Sequence, residues 1–544
     1  MRRAITSDVA SPSFPIGSKR VDEMNNMRPD SFENFLNPVT SGDVLRRKSV
    51  RGAFFMASAG GVEFAVRLVA TLIFARILAP EDFGLVAMVM VLTGLLDMAK
   101  DFGLGTATIQ RKSITHREVS SLFWINVSFS GLLTLAFWAM IPVISWFYGD
   151  SRLILIALPL ATTLLWGGMA VQHEALMSRQ LKQGPLAFNR LLATLLSSCG
   201  GIALALVGFG YWSLVVREVA RSLIYLLGVW WFCRWRPALL FRPKEVRDFL
   251  RFGQDLTFTS FAISIFSKLD GVLVGKFFGP VALGTYRQAQ SLIMAPVEQL
   301  NAPVFSVAEP GLSSLQSEPD RYRRYYQRVV GFVSMVTMPL GVFAAVYPED
   351  LTLVVLGEKW LMAAPFLGIF AVATALRPTL ATAGMVLVTR GRSKVLLGLT
   401  LVHGLVQTLL MFAGIPWGAL GIAVAQVATS VITIPLTLYY SFRESPVSVG
   451  AFVSAIRMAL ASSVLMGVSL IVFRLMVPMA PSLPSLLAGS AIGATAYLLP
   501  WILFPSGRDE LCLILQDVKN SLSRRPLLTE TSMVGKPQTS HTAT

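Results

Sequence analysis

The chain is poor in charge, and poorest in acid: 14% of its 544 residues are charged, with 31 Asp and Glu against 47 Lys and Arg, for a net charge of +16. That shortage, beside 54% apolar residues and a mean hydropathy of +0.61, excludes an ordinary water-soluble globule and leaves a polytopic membrane protein. The basic excess does not mark a nucleic-acid binder, because the cations sit in short loops between apolar runs rather than along one helix face. Cysteine is scarce too. Cys199, Cys233 and Cys512 stand too far apart for a metal site or a disulfide framework, and read as buried or lipid-facing thiols. The four histidines, His116, His173, His403 and His541, are not grouped with carboxylates or cysteines at metal spacing. A Gly-rich phosphate loop with a following lysine is missing as well, so no catalytic residue, metal or cofactor is expected and the chain reads as a non-enzyme.

What is present is a series of long apolar runs. A helix needs about 20 apolar residues to cross the hydrocarbon core, and fourteen stretches qualify, which predicts an all-α polytopic membrane protein. Six fall in 51–233 and six in 253–441, with a final pair in 442–505. Residues 1–50 are polar and lack the apolar core of a signal peptide, so they are expected to form a disordered cytoplasmic tail, as are 506–544. The connection 234–252 is basic. Its Lys244-Glu-Val-Arg-Asp-Phe-Leu-Arg-Phe252 stretch suits either a surface-lying linker helix or a plain inside loop feeding the next span.

Orientation follows from the loops, because Lys and Arg are retained on the cytoplasmic side. Alternate loops carry Arg111, Lys112, Arg117; Arg179, Lys182, Arg190; Arg234, Arg236, Arg242, Lys244, Arg247, Arg251; Arg321, Arg323, Arg324, Arg328; Arg390, Arg392, Lys394; and Arg443. The intervening loops supply only Arg76, Arg152, Lys276, Lys359 and Arg474, and hold acids such as Glu81, Asp82, Asp150, Glu349, Asp350 and Glu358. Both termini are therefore expected inside.

The chain also repeats itself. Arg76-Ile-Leu-Ala-Pro80-Glu-Asp-Phe-Gly84 and Lys276-Phe-Phe-Gly-Pro280-Val-Ala-Leu-Gly284 each end an apolar run on a cation, turn at a proline and start the next run after a glycine. Gly208-Phe-Gly-Tyr-Trp-Ser-Leu214 matches Gly414-Ile-Pro-Trp-Gly-Ala-Leu420 in type. Units of six spans enter from the same side, which predicts two pseudo-symmetric six-helix lobes in parallel repeat, with the last two helices outside the repeat.

A charge at mid-membrane costs about 2.5–3.5 kcal/mol on insertion scales, so ionisable groups inside a span mark a path or a pair. Glu63 and Arg67 lie near the middle of the first span, Lys268 and Asp270 in the seventh, Arg217 and Arg221 in the sixth and Arg377 in the tenth. The functional reading is a cationic cavity between the lobes, built from Arg67, Arg217, Arg221, Lys268 and Arg377 and suited to a phosphate or pyrophosphate, since a guanidinium pairs two oxygens at once. The plain alternative is that Glu63 neutralises Arg67 at i, i+4. Glu63, Asp270 and Glu298 are candidates for ion coupling or for charge partners of the cations, whereas Asp97, Lys100 and Asp101 sit near an inner helix end where side chains reach water. Pro296, Pro303 and Pro310 recur every seven residues and favour a kinked eighth helix.

Two of these stretches carry a family signature. Phe74-Ala-Arg76-Ile-Leu-Ala-Pro80-Glu-Asp-Phe-Gly84, followed by Asp101-Phe-Gly-Leu-Gly105, resembles the N-terminal signature of the polysaccharide transporter family, the Wzx-type oligosaccharide flippases. The stretch Lys268-Leu-Asp270-Gly-Val-Leu-Val-Gly-Lys276-Phe-Phe-Gly-Pro280-Val-Ala-Leu-Gly-Thr-Tyr286 resembles its seventh-to-eighth-helix signature. The resemblance, over residues 50–505, implies the multidrug, oligosaccharidyl-lipid and polysaccharide exporter fold with alternating access. It implies a cargo of oligosaccharide on undecaprenyl pyrophosphate crossing a bacterial inner membrane for exopolysaccharide, capsule or lipopolysaccharide assembly. Membrane lipids, a polysaccharide polymerase and a chain-length regulator are the partners it implies, and nucleic acid is not one. Two other readings stand beside it. A multidrug and toxic compound extrusion-type exporter would line its cavity with acids and aromatics, and a membrane glycan polymerase or ligase would carry large outer loops.

Overall fold

The computed structural model describes residues 42–508 apart from 99, 101, 102, 112, 240–246 and 506. Fourteen long helices follow one another: α1 Gly42–Ile77, α2 Pro80–Asp97, α3 His116–Tyr148, α4 Arg152–Arg179, α5 Gln183–Leu206, α6 Tyr211–Phe232, α7 (247–278) and α8 (280–314). They continue as α9 Pro319–Val346, α10 Ala364–Thr389, α11 Ser393–Gly414, α12 Gly418–Phe442, α13 Val449–Met476 and α14 Leu483–Leu503. No strand occurs among the described residues. The all-α membrane fold read from the apolar runs is the one observed. Helix α1 begins at Gly42, upstream of its expected span. The rest of the N-terminal tail, the C-terminal tail beyond Arg508, Asp101, Lys244, Cys512 and His541 lie outside the described residues.

Among the described residues nine runs are long and apolar enough to cross a membrane by composition, one of which, Ser393–Phe442, holds both α11 and α12. Helix α6 is not among them. Helices α2, α7 and α8 are not among them either, and α6 carries Arg217, Glu218 and Arg221 within its 22 residues.

The chain divides into two compact units, 1–276 and 277–544. Helix pairing inside the first repeats inside the second: α3 packs on α4, α5 on α6 and α4 on α6, as α9 packs on α10, α11 on α12 and α10 on α12. The duplication seen in the loops thus extends to the packing of each unit. Helices α13 and α14 stand outside this scheme. They pair with each other, and α13 lies along α9, where Met338, Met466, Leu470 and Trp501 share one buried cluster.

The two proline elbows turn by different chemistry. At the first, Ala79 is extended (φ −84°, ψ 155°), Pro80 opens α2, and the Asp82 carboxylate accepts the Ala79 backbone N–H at 3.0 Å. At the second, the residue equivalent to Asp82 is Ala282, which has no acceptor, and Gly279 makes the turn at φ 81°, a left-handed value that glycine reaches without strain. Between Gly279 and Ser314 the helix runs on through Pro296, Pro303 and Pro310, and Gly279 is where its backbone leaves helical geometry.

Aromatic rings pack together at one end of the first unit. The His173 ring stacks on Trp230 at 4.7 Å and meets the Trp235 and Phe123 rings edge-on, while Trp235 Nε1 donates to His116 Nδ1 at 2.9 Å. Cys233 is buried in the same cluster. Both described histidines of this unit pack against aromatic rings.

Candidate functional site

In the first unit, α1, α5 and α6 bring several of the expected residues together. Helix α5 packs on both α1 and α6, and Gly201 makes the close approach possible. A Cβ at Gly201 would stand 2.9 Å from both the Phe74 ring and Arg217 Cβ, and 3.1 Å from the Ser213 carbonyl. With glycine there, the Arg217 guanidinium lies over the Phe74 ring, 5.3 Å from its centre, a cation–π contact that strengthens away from water. Arg217 interacts electrostatically with Glu218, Arg221 and Arg67, and Arg221 with Asp97 and Glu63. Three guanidiniums thus share one neighbourhood.

The acids are arranged differently from the i, i+4 expectation. Glu63 accepts a hydrogen bond from Thr194 Oγ1 at 3.2 Å, and among the described residues no ion pair joins it to Arg67. The Arg67 side chain is exposed and extends over the Phe64 ring at 5.9 Å. The carboxylate that does pair is Glu218, which is largely buried and holds Arg221 at i, i+3. Spacing of three brings side chains together on a helix as well as spacing of four. Nearby on α2, Lys100 pairs with Asp97 at 2.6 Å.

Lys268 also belongs to this unit. A Cβ on Gly94 of α2 would stand 2.9 Å from the Lys268 ammonium nitrogen, so the lysine lies against the α2 backbone where a side chain would displace it. Asp270, two residues on, is buried, and its carboxylate accepts the Gly271 backbone N–H at 2.6 Å. Glu298, on α8, is exposed.

Arg377 sits in the second unit, in an open cavity of about 230 Å³ lined by α10, α11 and α12. Its polar lining is Arg377, Thr400, His403, Ser430, Thr433 and Thr437. His403 Nδ1 lies 3.0 Å from Thr433 Oγ1, whose own proton is directed to the Thr429 carbonyl at 2.8 Å. The imidazole is therefore the donor in this bond, and its Nε2 is left as an acceptor in the neutral ring. Sequence reasoning overlooked His403 and the hydroxyl residues, because a histidine without ligand spacing and threonines in an apolar helix carry no motif.

Fourteen long helices, nine apolar runs long enough to cross a membrane among the described residues, and packing that repeats inside each unit define a polytopic all-α membrane protein. The same fold is found in the solved structure titled lipid II flippase MurJ, inward closed conformation, with a TM-score of 0.66, 14% identity and coverage of 82% of this chain and 98% of that one. Residues 73–365, more than half of the chain, match the family described as Polysaccharide biosynthesis protein, and the chain belongs to it. Among curated relatives, the teichuronic acid biosynthesis protein TuaB of Bacillus subtilis is 27% identical over 337 residues, 59% of this chain and 67% of that protein. The succinoglycan biosynthesis transport protein ExoT of Rhizobium meliloti is 24% identical over 445 residues, 80% of this chain and 88% of that protein.

Proposed function

We propose that this protein is a flippase that moves an oligosaccharide linked to undecaprenyl pyrophosphate from the inner to the outer leaflet of a bacterial inner membrane, for assembly of a surface or secreted polysaccharide. The observation that carries the reading is the gathering of Arg67, Arg217 and Arg221 at mid-helix in the first unit, in a member of a polysaccharide biosynthesis family. The three guanidiniums outnumber the carboxylates of Glu63 and Glu218 beside them, and a diphosphate brings the negative charge that balances the excess. Guanidiniums suit it because their forked donors match two phosphate oxygens at once, and low dielectric strengthens each contact. Lys268 adds a point charge against the α2 backbone, and Arg377 adds a cation in the second unit. In this reading the sugars pass through hydrated space while the polyprenyl tail stays in lipid. Glu63, Asp270 and Glu298 serve as charge partners or as ion-coupling groups. The distribution of loop cations supports cytoplasmic termini. A polymerase and a chain-length regulator then act on the delivered unit.

The test is translocation in vesicles. Purified protein reconstituted with fluorescently tagged lipid-linked oligosaccharide should make the tag accessible to an impermeant quencher or lectin on the far side. Accessibility equal to that of protein-free vesicles would overturn the proposal, and growth of glycan chain length would replace it with a polymerase.

A further inference from the structure

The cavity of the second unit has a chemistry of its own. Three of its four hydroxyls point their protons away from it: Thr400 donates to the Leu396 carbonyl at 2.9 Å, Ser430 to the Gln426 carbonyl at 3.0 Å and Thr433 to the Thr429 carbonyl at 2.8 Å. A hydroxyl bonded back to its own helix offers its remaining lone pairs as acceptors. Three of the polar lining groups are thus acceptors, and His403 Nε2 is a fourth when the ring is neutral. Only Arg377 brings a fixed positive charge. Phosphate, which carries acceptor oxygens almost alone, would meet lone pair against lone pair over most of this wall. A ligand that fits has one anionic group for the guanidinium and several hydroxyl donors for the acceptors.

Size and the remaining wall narrow the class further. At about 230 Å³ the cavity is below the roughly 300–1,000 Å³ of sites for drug-sized ligands, and suits a single six-membered sugar ring. Leu380, Leu399 and Ile434 complete the lining with an apolar face of the kind that covers ring C–H groups. Arg377 and His403 lie near the middle of α10 and α11, far from the depth at which bilayer headgroups sit, which disfavours a resident lipid headgroup as the occupant.

We infer that this cavity is a subsite for one acidic sugar residue, of the hexuronic acid class, with the carboxylate on Arg377 and the ring hydroxyls donating to Thr400, Ser430 and Thr433. The inference rests on the flippase reading for its biological use but not for its chemistry. It assigns glycan selectivity to the second unit and separates Arg377 from the cations of the first.

The experiment is ligand-observed NMR on the whole protein in lipid nanodiscs, with glucuronate, glucose and inorganic pyrophosphate as probes. Glucuronate should show saturation transfer, glucose should bind at least tenfold more weakly, and pyrophosphate should not displace glucuronate. R377Q should lose glucuronate binding. Because an arginine variant risks misfolding, Gly384→Val is the second arm: a Cβ there meets Leu396 at 3.7 Å, an ordinary contact, so it narrows the cavity while every polar group stays. G384V should abolish binding with an unchanged melting temperature. Equal binding of glucose and glucuronate, displacement by pyrophosphate, or binding that survives both variants would overturn the assignment. Vesicle translocation is read separately, so glucuronate binding without flipping refutes the transport reading alone, and flipping without glucuronate binding refutes this one alone.

Discussion

Leu181 and Gly391 occupy the same turn, 210 residues apart, and only one of them is suited to it. After α4, the backbone N–H groups of Gln180, Leu181 and Lys182 donate to the carbonyls of Leu176, Ser178 and Met177; after α10, those of Arg390, Gly391 and Arg392 donate to Val386, Val388 and Leu387. Both turns close a helix with a left-handed residue, at φ 57° for Leu181 and 69° for Gly391. This is the Schellman arrangement, in which glycine is the usual choice.

A non-glycine residue in this conformation costs roughly 1–2 kcal/mol, offset in part by the roughly 0.5–1 kcal/mol that glycine loses in chain entropy. L181G should therefore raise the stability of the protein by up to about 1 kcal/mol, whereas G391L should lower it by about 1–2 kcal/mol. Thermal unfolding in detergent, followed by the loss of helical circular dichroism, reads both.

This turn also shows where the sequence stops being legible. The fourteen long helices and the two proline elbows are written in long apolar runs and in Pro-Gly punctuation, and both are found. The turn after α4 has no glycine to announce it, so its equivalence to the turn after α10 appears only in the hydrogen bonds. The charged cluster was half legible. Insertion cost singles out Arg67, Arg217 and Arg221, but the pairing of Arg221 with Glu218 and of Glu63 with Thr194 depends on which helix faces meet. Hydroxyls lining the second unit's cavity were not legible at all, since Ser and Thr at these positions bond their own helix and leave the hydrophobic pattern intact.

Gly201 is expected to tolerate no side chain. A methyl group there would stand 2.9 Å from Phe74 and Arg217, in the contact where α5 meets α1 and α6. Overpacking of this kind costs about 1–3 kcal/mol. G201A should lower the melting temperature and weaken any phosphate binding by displacing Arg217, while F74A in the same background should recover part of the stability.

The loop between α3 and α4 should be sensitive to acid. Arg152 pairs at 2.7 Å with both Glu81 and Asp150, and the hydrogen bond from its guanidinium holds the Asp150 carboxyl below the usual carboxylate range. A carboxylate depressed in the folded state contributes stability above its unfolded pKa of about 4. That contribution is lost as pH falls through the lower folded value. Melting temperature should drop below pH 4 in the wild type, and the D150N variant should start lower at neutral pH and fall less steeply.

Arg474 is expected to hold α13 and α14 onto the second unit. Its guanidinium donates to the Val346 carbonyl at 2.5 Å, lies 3.6 Å from the buried Asp350 carboxylate, and stacks over Tyr347 at 5.4 Å. Asp350 in turn accepts the Ser482 backbone N–H at 3.1 Å, next to the start of α14. R474M keeps the apolar stem and removes these bonds. It should cost about 2 kcal/mol, the scale of a hydrogen bond to a charged group, and increase proteolysis between α13 and α14.

The cations of the first unit should separate into two classes when mutated. Arg67 is exposed and has no carboxylate within ion-pair distance among the described residues, so R67Q removes an exposed charge and leaves no buried carboxylate behind it. Export of polymer should fall at least tenfold with the membrane level of the protein unchanged. Arg221 is paired with Glu218, whose side chain is only 16% exposed. R221Q removes the ion-pair partner of that carboxylate and leaves it only the Arg217 charge, and breaking a buried pair is strongly destabilising. Its membrane level should therefore fall together with export, and adding E218Q should restore the level without restoring export. A double variant that recovers both would show that Arg221 serves packing alone, leaving Arg67, Arg217 and Lys268 to meet the phosphates.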